Sequence, residues 1–487
     1  MTIPVLAYLL LLLGALAIDA MVRPRARRIV RDWRGSLLLL LAVTVAFGCG
    51  LAVSGNAPAA AILAAALLAV VAIASNAKRA VLGEPLLFSD LALVGALVRH
   101  PGFYLTALSL PQRALGVAGA LALPVALAWL FVPRPAPHLA GAAIGAAALV
   151  ALLALLRLPP LAVLARVPDA EADLARHGLV ATLLLYWRRW RVQLDPPALP
   201  PDQGAPGPEL VIVVQCESFA DPVALAGAAP LPALARARAA AWQWGELHVS
   251  GFGAYTMRTE YGVLFGRDEA ALGFRRYDPF LTAAGEASYA LSARLRGRGY
   301  RTLFVHPHDL RFYGRDRLMP AVGFERLVGD DAFVATAPGI GRYVDDRALG
   351  MALGALADAA GCPTFVYAVT MENHGPWGKE RIAGSPGGLD AYLRHLRGSD
   401  AMLGDLIDHL DRADRRAVLV FFGDHRPSIP GASEPGPDRH TPYVILRFGD
   451  RPGSAATGAE GGGEAGRRVD LTPAGLHHAI LAAVATP

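Results

Sequence analysis

Apolar residues fill the first third of the chain in long runs and then give way to short ones. Residues 4–22, 36–53, 57–74, 114–132 and 138–156 are nearly free of charge, and each approaches the roughly 20 residues that cross a bilayer core. Helices of soluble domains seldom run so long without a charge, so the pattern predicts five membrane helices. The first run has no basic segment before it and no small-residue cleavage site after it, so it is expected to stay as an anchor. Between the third and fourth runs, the segment 86–98 is apolar but short, which predicts an interfacial or re-entrant piece.

Beyond residue 166 the pattern becomes amphipathic and ends in Tyr186-Trp187-Arg188-Arg189-Trp190-Arg191. Aromatics and arginines alternate there as they do at a membrane surface. A proline-rich linker, 196–208, follows. From Glu209 onward short β-branched runs at 210–214, 302–305, 364–369, 417–422 and 443–446 are separated by helical stretches, among them 287–298 and 389–413. Continuous apolar strands alternating with helices predict a buried, mostly parallel sheet in an α/β layer fold. The Gly/Ala-rich stretch 453–466 reads as a surface loop. The expected organisation is a transmembrane domain of about five helices at 1–165, a juxtamembrane segment and linker at 166–208, and a globular domain at 209–487.

Composition sharpens this picture. A hydrophobic share of 54% over 487 residues and a mean hydropathy of +0.38 exclude a wholly soluble protein. The net charge of +5 sits in arginine-rich segments beside the apolar runs, which suits anionic lipid head groups. No nucleic-acid motif is present, and no nucleic-acid partner is expected. Cys49, Cys216 and Cys362 lie far apart, without disulfide or zinc-finger spacing.

Candidate chemistry collects just after the short apolar runs, where ligands bind in open α/β sheets. One run ends in Gln215-Cys216-Glu217-Ser218 and another in Gly423-Asp424-His425-Arg426, while a third leads to Glu372-Asn373-His374 and a fourth into His306. Glu217, Asp424 and His425 offer oxygen and imidazole ligands for Mn²⁺, Mg²⁺ or Zn²⁺. The segment Ser250-Gly-Phe-Gly-Ala-Tyr-Thr256 presents a hydroxyl at a glycine-rich turn. A bound metal would activate such a weak nucleophile.

These motifs, in this order, resemble the lipoteichoic-acid synthases and related phosphoglycerol transferases of the alkaline-phosphatase/sulfatase superfamily. The matching segments are Val-Gln-Cys-Glu217-Ser-Phe, Tyr-Thr256-Met-Arg-Thr-Glu, His306 followed by Phe-Tyr-Gly-Arg315-Asp, Glu-Asn-His374-Gly-Pro and Phe-Gly-Asp424-His425. Gly83-Glu84-Pro85-Leu86 and the helical anchor also look like that group. The resemblance implies an N-terminal transmembrane bundle and a C-terminal sulfatase-like α/β domain. It implies a divalent metal, Mn²⁺ first, held by Glu217, Thr256, Asp424 and His425, with Thr256 also the nucleophile. His306, Arg315 and His374 match positions that hold the phosphate and glycerol of the substrate. Three positions depart from the group: Tyr313 stands where its members have tryptophan, and Met257-Arg258 where they have Ser-Asp.

The expected activity is transfer of phosphoglycerol from phosphatidylglycerol, through a phosphothreonine, to an envelope glycan or glycerol-phosphate polymer. A phosphoethanolamine transferase, a sulfatase-like ester hydrolase and a non-catalytic membrane scaffold remain alternatives. The expected location is the inner (cytoplasmic) membrane, multi-pass, with an extracytoplasmic catalytic domain. Against that orientation stands the loop 23–34, whose six arginines would then face outward, contrary to the positive-inside rule; for it stand the acceptors implied by the resemblance.

Overall fold

The computed structural model of the chain describes residues 2–26, 31–91, 110–334, 343–377, 385, 387–413, 415–449 and 466–485. It divides into two compact units, Met1–Gln193 and Leu194–Pro487.

The first unit carries α1 (Ile3–Met21), α2 (Trp33–Ser54), α3 (Ala57–Leu82), α4 (Leu110–Leu130), α5 (Pro135–Arg157), α6 (Ala170–His177) and α7 (Leu179–Val192). Helices α2 and α3 start on side-chain caps: Asp32 accepts from Arg34 N and Asn56 from Ala59 N, each satisfying an amide left open at a helix start. Small residues let α2 and α5 approach closely, since a Cβ on Gly48 would meet the Gly145 backbone at 2.4 Å, a packing mode common between membrane helices. Among the described residues four helices, α1, α2, α3 and α5, are long and apolar enough to cross a membrane. The remaining expected run, 114–132, falls largely within α4, which holds the shorter apolar stretch Gly116–Leu130. Large side chains such as Leu13, Ile62 and Val150 are exposed on these helices, as expected of surfaces that face lipid. Residues 92–98 of the expected interfacial piece lie outside the described residues, as do 453–465 of the expected loop.

The second unit is built on an eight-stranded sheet in the order β4-β3-β5-β1-β6-β7-β2-β8. Its strands are β1 (Leu210–Cys216), β2 (Gln243–His248), β3 (Arg301–Val305), β4 (Arg326–Val328), β5 (Thr364–Val369), β6 (Ala417–Gly423), β7 (His440–Phe448) and β8 (Arg467–Arg468). The five expected strands are all present. Pairing is parallel except where β7 lies antiparallel between β6 and β2, so the sheet is mixed but mostly parallel. β1, β5 and β6 are buried along their whole length, the pattern of central strands covered on both faces. The helices of this unit include α8 (Thr256–Phe265), α9 (Arg315–Ala321), α10 (Asp346–Asp358), α11 (Gly388–Arg412) and α12 (Pro473–Ala485). Helix α11 matches the amphipathic stretch expected at 389–413. The helix expected at 287–298 is broken at Ala290, with a 3₁₀ segment Ala283–Tyr289 before it and Leu291–Gly297 after it.

Candidate active site

Neighbouring parallel strands end at the same level, so residues just past their carboxyl ends converge. Cys216 of β1 pairs in register with Gly423 of β6, which sets Glu217 beside Asp424. Ser218 N and His425 N both donate to Asp424 Oδ1 at 2.8 Å. Gly423 has to be glycine, since a Cβ there would meet the Phe219 carbonyl oxygen at 1.9 Å.

Glu217, Asp424 and His425 offer ligand atoms that all lie within 4.8 Å of one another. All three are buried, Asp424 completely. Among the described residues Asp424 Oδ2 has no partner in hydrogen-bond geometry, although the Thr256 hydroxyl is near enough to act on the carboxyl; that state is costly for a buried carboxylate oxygen unless a cation or other donor comes to it. His425 Nδ1 donates to the Arg426 carbonyl at 3.0 Å, which turns Nε2 toward Glu217 Oε1 and Asp424 Oδ2 at 3.4 and 3.6 Å. A ring nitrogen fixed in this way is the arrangement of a metal-ligating histidine. Burial, then the neighbouring Glu217, pushes the Asp424 carboxyl up to about 6. Burial acts to lower the His425 value, but Asp424 and Glu217 outweigh it and raise it. Two carboxylates and an imidazole crowded out of water are a donor set that fits a divalent cation.

Thr256 opens helix α8 and brings its hydroxyl to the same cluster. Its Oγ1 donates to Glu217 Oε2 at 3.3 Å and lies 3.5 Å from His425 Nε2. One turn on, Thr259 Oγ1 donates to the Asp424 carbonyl at 2.7 Å and ties the helix start to the tip of β6. Backbone strain marks the site: Ser218, Tyr255 and Tyr313 adopt positive φ of 51°, 77° and 58°, unfavourable for residues with a Cβ. They adjoin Glu217, Thr256 and the N-terminus of the Arg315 helix.

Arg315 and His306 come together next to this cluster. Arg315 is buried and forks onto Glu260 of α8, while its Nη1 lies 3.3 Å from His306 Nε2. His306 Nδ1 donates to the Val369 carbonyl at 3.0 Å, so Nε2 is the acceptor of the Arg315 donor. Burial, then the Arg315 charge, holds His306 well below the ordinary histidine range and keeps it neutral. His374 Nδ1 meets the Gly375 carbonyl at 2.8 Å, and its ring sits edge-on to Tyr343 at 5.8 Å.

Three further residues support the site, Ser218 and Glu260 from within the quoted segments and Thr370 from the end of β5. Ser218 Oγ donates to Glu217 Oε1 at 2.8 Å, and Thr370 Oγ1 accepts from Glu217 N at 3.1 Å. Glu260 shows its role only once its partner is known. The signal in the sequence was position: Ser218 and Thr370 each lie at the end of an expected strand.

The chain is similar to several known proteins. The family model "Sulfatase" matches residues 209–478. The capsular polysaccharide biosynthesis protein RkpI of Rhizobium meliloti (strain 1021) is 38% identical over 242 residues, 49% of this chain and 45% of that protein. A putative cyclic β-1,2-glucan modification protein of the same strain is 27% identical over 235 residues, 45% of this chain and 36% of that protein. The chain thus spans less than half the length of these two relatives. Among solved structures, the lipoteichoic acid synthase LtaP from Listeria monocytogenes superposes with a TM-score of 0.41 at 18% identity, over 55% of this chain and 70% of that one.

Proposed function

The chain belongs to the sulfatase family, and from that premise we propose that it is a membrane-anchored, metal-dependent phosphoglycerol transferase. In this reading residues 1–165 anchor the chain, 166–208 link, and 209–487 carry the chemistry outside the inner membrane. The donor is phosphatidylglycerol and the acceptor a hydroxyl of an envelope glycan or glycerol-phosphate polymer. The observation that carries it is Thr256 Oγ1 within 3.5 Å of both Glu217 and His425, at a cluster that includes Asp424.

Glu217, Asp424, His425 and Thr256 would hold the metal. When bound, a divalent cation, Mn²⁺ first, supplies charge stabilisation at the phosphoryl oxygens and lowers the hydroxyl's pKa. The Thr256 hydroxyl already donates to Glu217, an acceptor for the proton it must lose on attack. Attack on phosphorus forms the Thr256 Oγ–P bond and breaks the bond from phosphorus to the diacylglycerol oxygen, which leaves protonated as the alcohol. An acceptor hydroxyl then displaces Thr256 Oγ. The open amides of the α8 N-terminus favour negative charge at this position. Arg315, fixed by Glu260 and His306, would present a planar donor to the phosphate, with His306 holding it and His374 reaching head-group oxygens.

The test is diacylglycerol release by the full-length protein in detergent with Mn²⁺, offering phosphatidylglycerol and phosphatidylethanolamine separately. Release from phosphatidylglycerol that vanishes in Thr256→Ala supports the reading. Release from phosphatidylethanolamine alone replaces it with a phosphoethanolamine transferase, and release from neither overturns it.

A further inference from the structure

Helix α8 shows two faces. Thr256, Thr259 and Glu260, spaced as neighbours on one side of a helix, engage Glu217, Asp424 and Arg315. Arg258, Tyr261 and Gly262 have the same spacing on the other side, and they line a cavity of about 550 Å³. None of Glu217, Thr256, Asp424, His425, His306, Arg315 or His374 lines it. Its volume falls in the range of small-molecule sites and exceeds what a single phosphate needs.

The walls carry charge of both signs. Arg258 lies with its guanidinium 3.9 Å from the Tyr255 ring centre and donates to the Tyr277 carbonyl. Arg439 is held by two main-chain carbonyls, Ser250 at 2.5 Å and Gly436 at 3.1 Å. Among the described residues Arg439 forms no ion pair, and its guanidinium is bound only to these neutral carbonyls. Asp268 and Glu269 line the same space; Asp268 Oδ1 accepts from Thr472 Oγ1 at 2.9 Å, and Glu269 accepts from Ser250 Oγ and pairs with Arg276, so their remaining lone pairs are what a ligand hydroxyl would meet. Carboxylates repel a bare anion but accept hydrogen bonds from hydroxyls, while arginines take an acidic group. The combination suits a molecule bearing an acid and several hydroxyls together.

We propose that this cavity is a second binding site, taking an acidic sugar unit of the glycan acceptor. It deepens the transferase reading and rests on it for the word acceptor, while the binding itself stands on the cavity. Arg258, one of the two positions where the chain departs from the lipoteichoic-acid synthase pattern beside the nucleophile, is part of the wall.

The experiment is calorimetric titration of the full-length protein in detergent with digalacturonate, cellobiose and glycerol 3-phosphate. Digalacturonate should bind saturably and more weakly as salt rises. Arg439→Ala should weaken it at least about tenfold, with partial recovery in Arg439→Lys. His248→Glu, a change at an exposed wall position, should also weaken it and guards against misfolding of the first variant. Cellobiose should show no saturable binding. Undiminished binding in both Arg439→Ala and His248→Glu, equal binding of cellobiose, or no binding of digalacturonate overturns the proposal. Glycerol 3-phosphate that displaces digalacturonate and is itself lost in Arg439→Ala also overturns it, assigning the cavity to the donor head group. Binding should persist in Thr256→Ala, so a failure of the transferase reading in the diacylglycerol assay would leave this result readable on its own.

Discussion

Arg315 grips Glu260 at two points, Nε to Oε1 at 3.1 Å and Nη2 to Oε2 at 2.5 Å, with both side chains shut off from water. The pair joins the helix that begins at Thr256 to the helix that begins at Arg315, so the hydroxyl and the guanidinium are positioned by one contact. Removing one member of a buried pair leaves the other charge uncompensated, at a cost of about 3–5 kcal/mol. Glu260→Ala should therefore lower the denaturation midpoint markedly and reduce diacylglycerol release, whereas Glu260→Gln should lose less. An unchanged midpoint in Glu260→Ala would remove the clamp from the account.

Two threonines one turn apart separate nucleophile from support. Thr256→Ala should reduce donor turnover by at least about a thousandfold, and Thr256→Ser should keep measurable activity because it retains a hydroxyl. Thr259 spends its hydroxyl on the Asp424 carbonyl, so Thr259→Ala should cost only about tenfold. Initial rates on phosphatidylglycerol check the contrast, and a reversed order would make Thr259 the nucleophile.

Much of this was legible along the chain, for physical reasons. The central strands β1, β5 and β6 are buried on both faces, and their runs are accordingly continuous and apolar. Strand β2, Gln243–His248, alternates buried and half-buried positions through a polar sequence, and β4 and β8 are edge strands of three and two residues; none had a readable pattern. The reversed direction of β7 is set by its neighbours rather than by its own residues. Glu217, Asp424 and His425 could be singled out because each follows a strand, and the structure brings all three together. Glu260 stood in the Thr256 segment, but that it pairs with Arg315, 55 positions away, shows only in the fold. His306 resembled a substrate ligand, but only the fold shows its Nε2 facing Arg315.

Metal dependence should carry a pH signature. Asp424 is raised from 3.8 to about 6 by burial and by Glu217. The metal-free folded state therefore holds this proton more tightly than the unfolded chain does, and it loses stability as pH rises from about 4 through 6. A cation binds the deprotonated form and offsets that loss. The difference in thermal midpoint between Mn²⁺-loaded and chelated protein should grow between pH 5 and 7, and Asp424→Asn should abolish it. A difference that is flat across this range would count against Asp424 as a ligand.

A second buried carboxyl gives an independent test outside the metal cluster. Asp346 accepts from Ser399 Oγ at 2.6 Å, and burial, then the neighbouring Glu372, pushes it from 3.8 up to about 8. With the folded value above the unfolded one, the stability this carboxyl contributes is fully present below about pH 4. It is lost as pH rises through about 8. Between pH 7 and 9 the loss is on the order of 1 kcal/mol, one proton's worth over roughly one decade. Thermal midpoints of the solubilised protein should fall over that interval, and Asp346→Asn, which keeps an acceptor for Ser399 but cannot ionise, should flatten the fall. Parallel pH curves for the two proteins would mean that Asp346 ionises in the ordinary carboxylate range and that the Ser399 hydrogen bond holds a charged group.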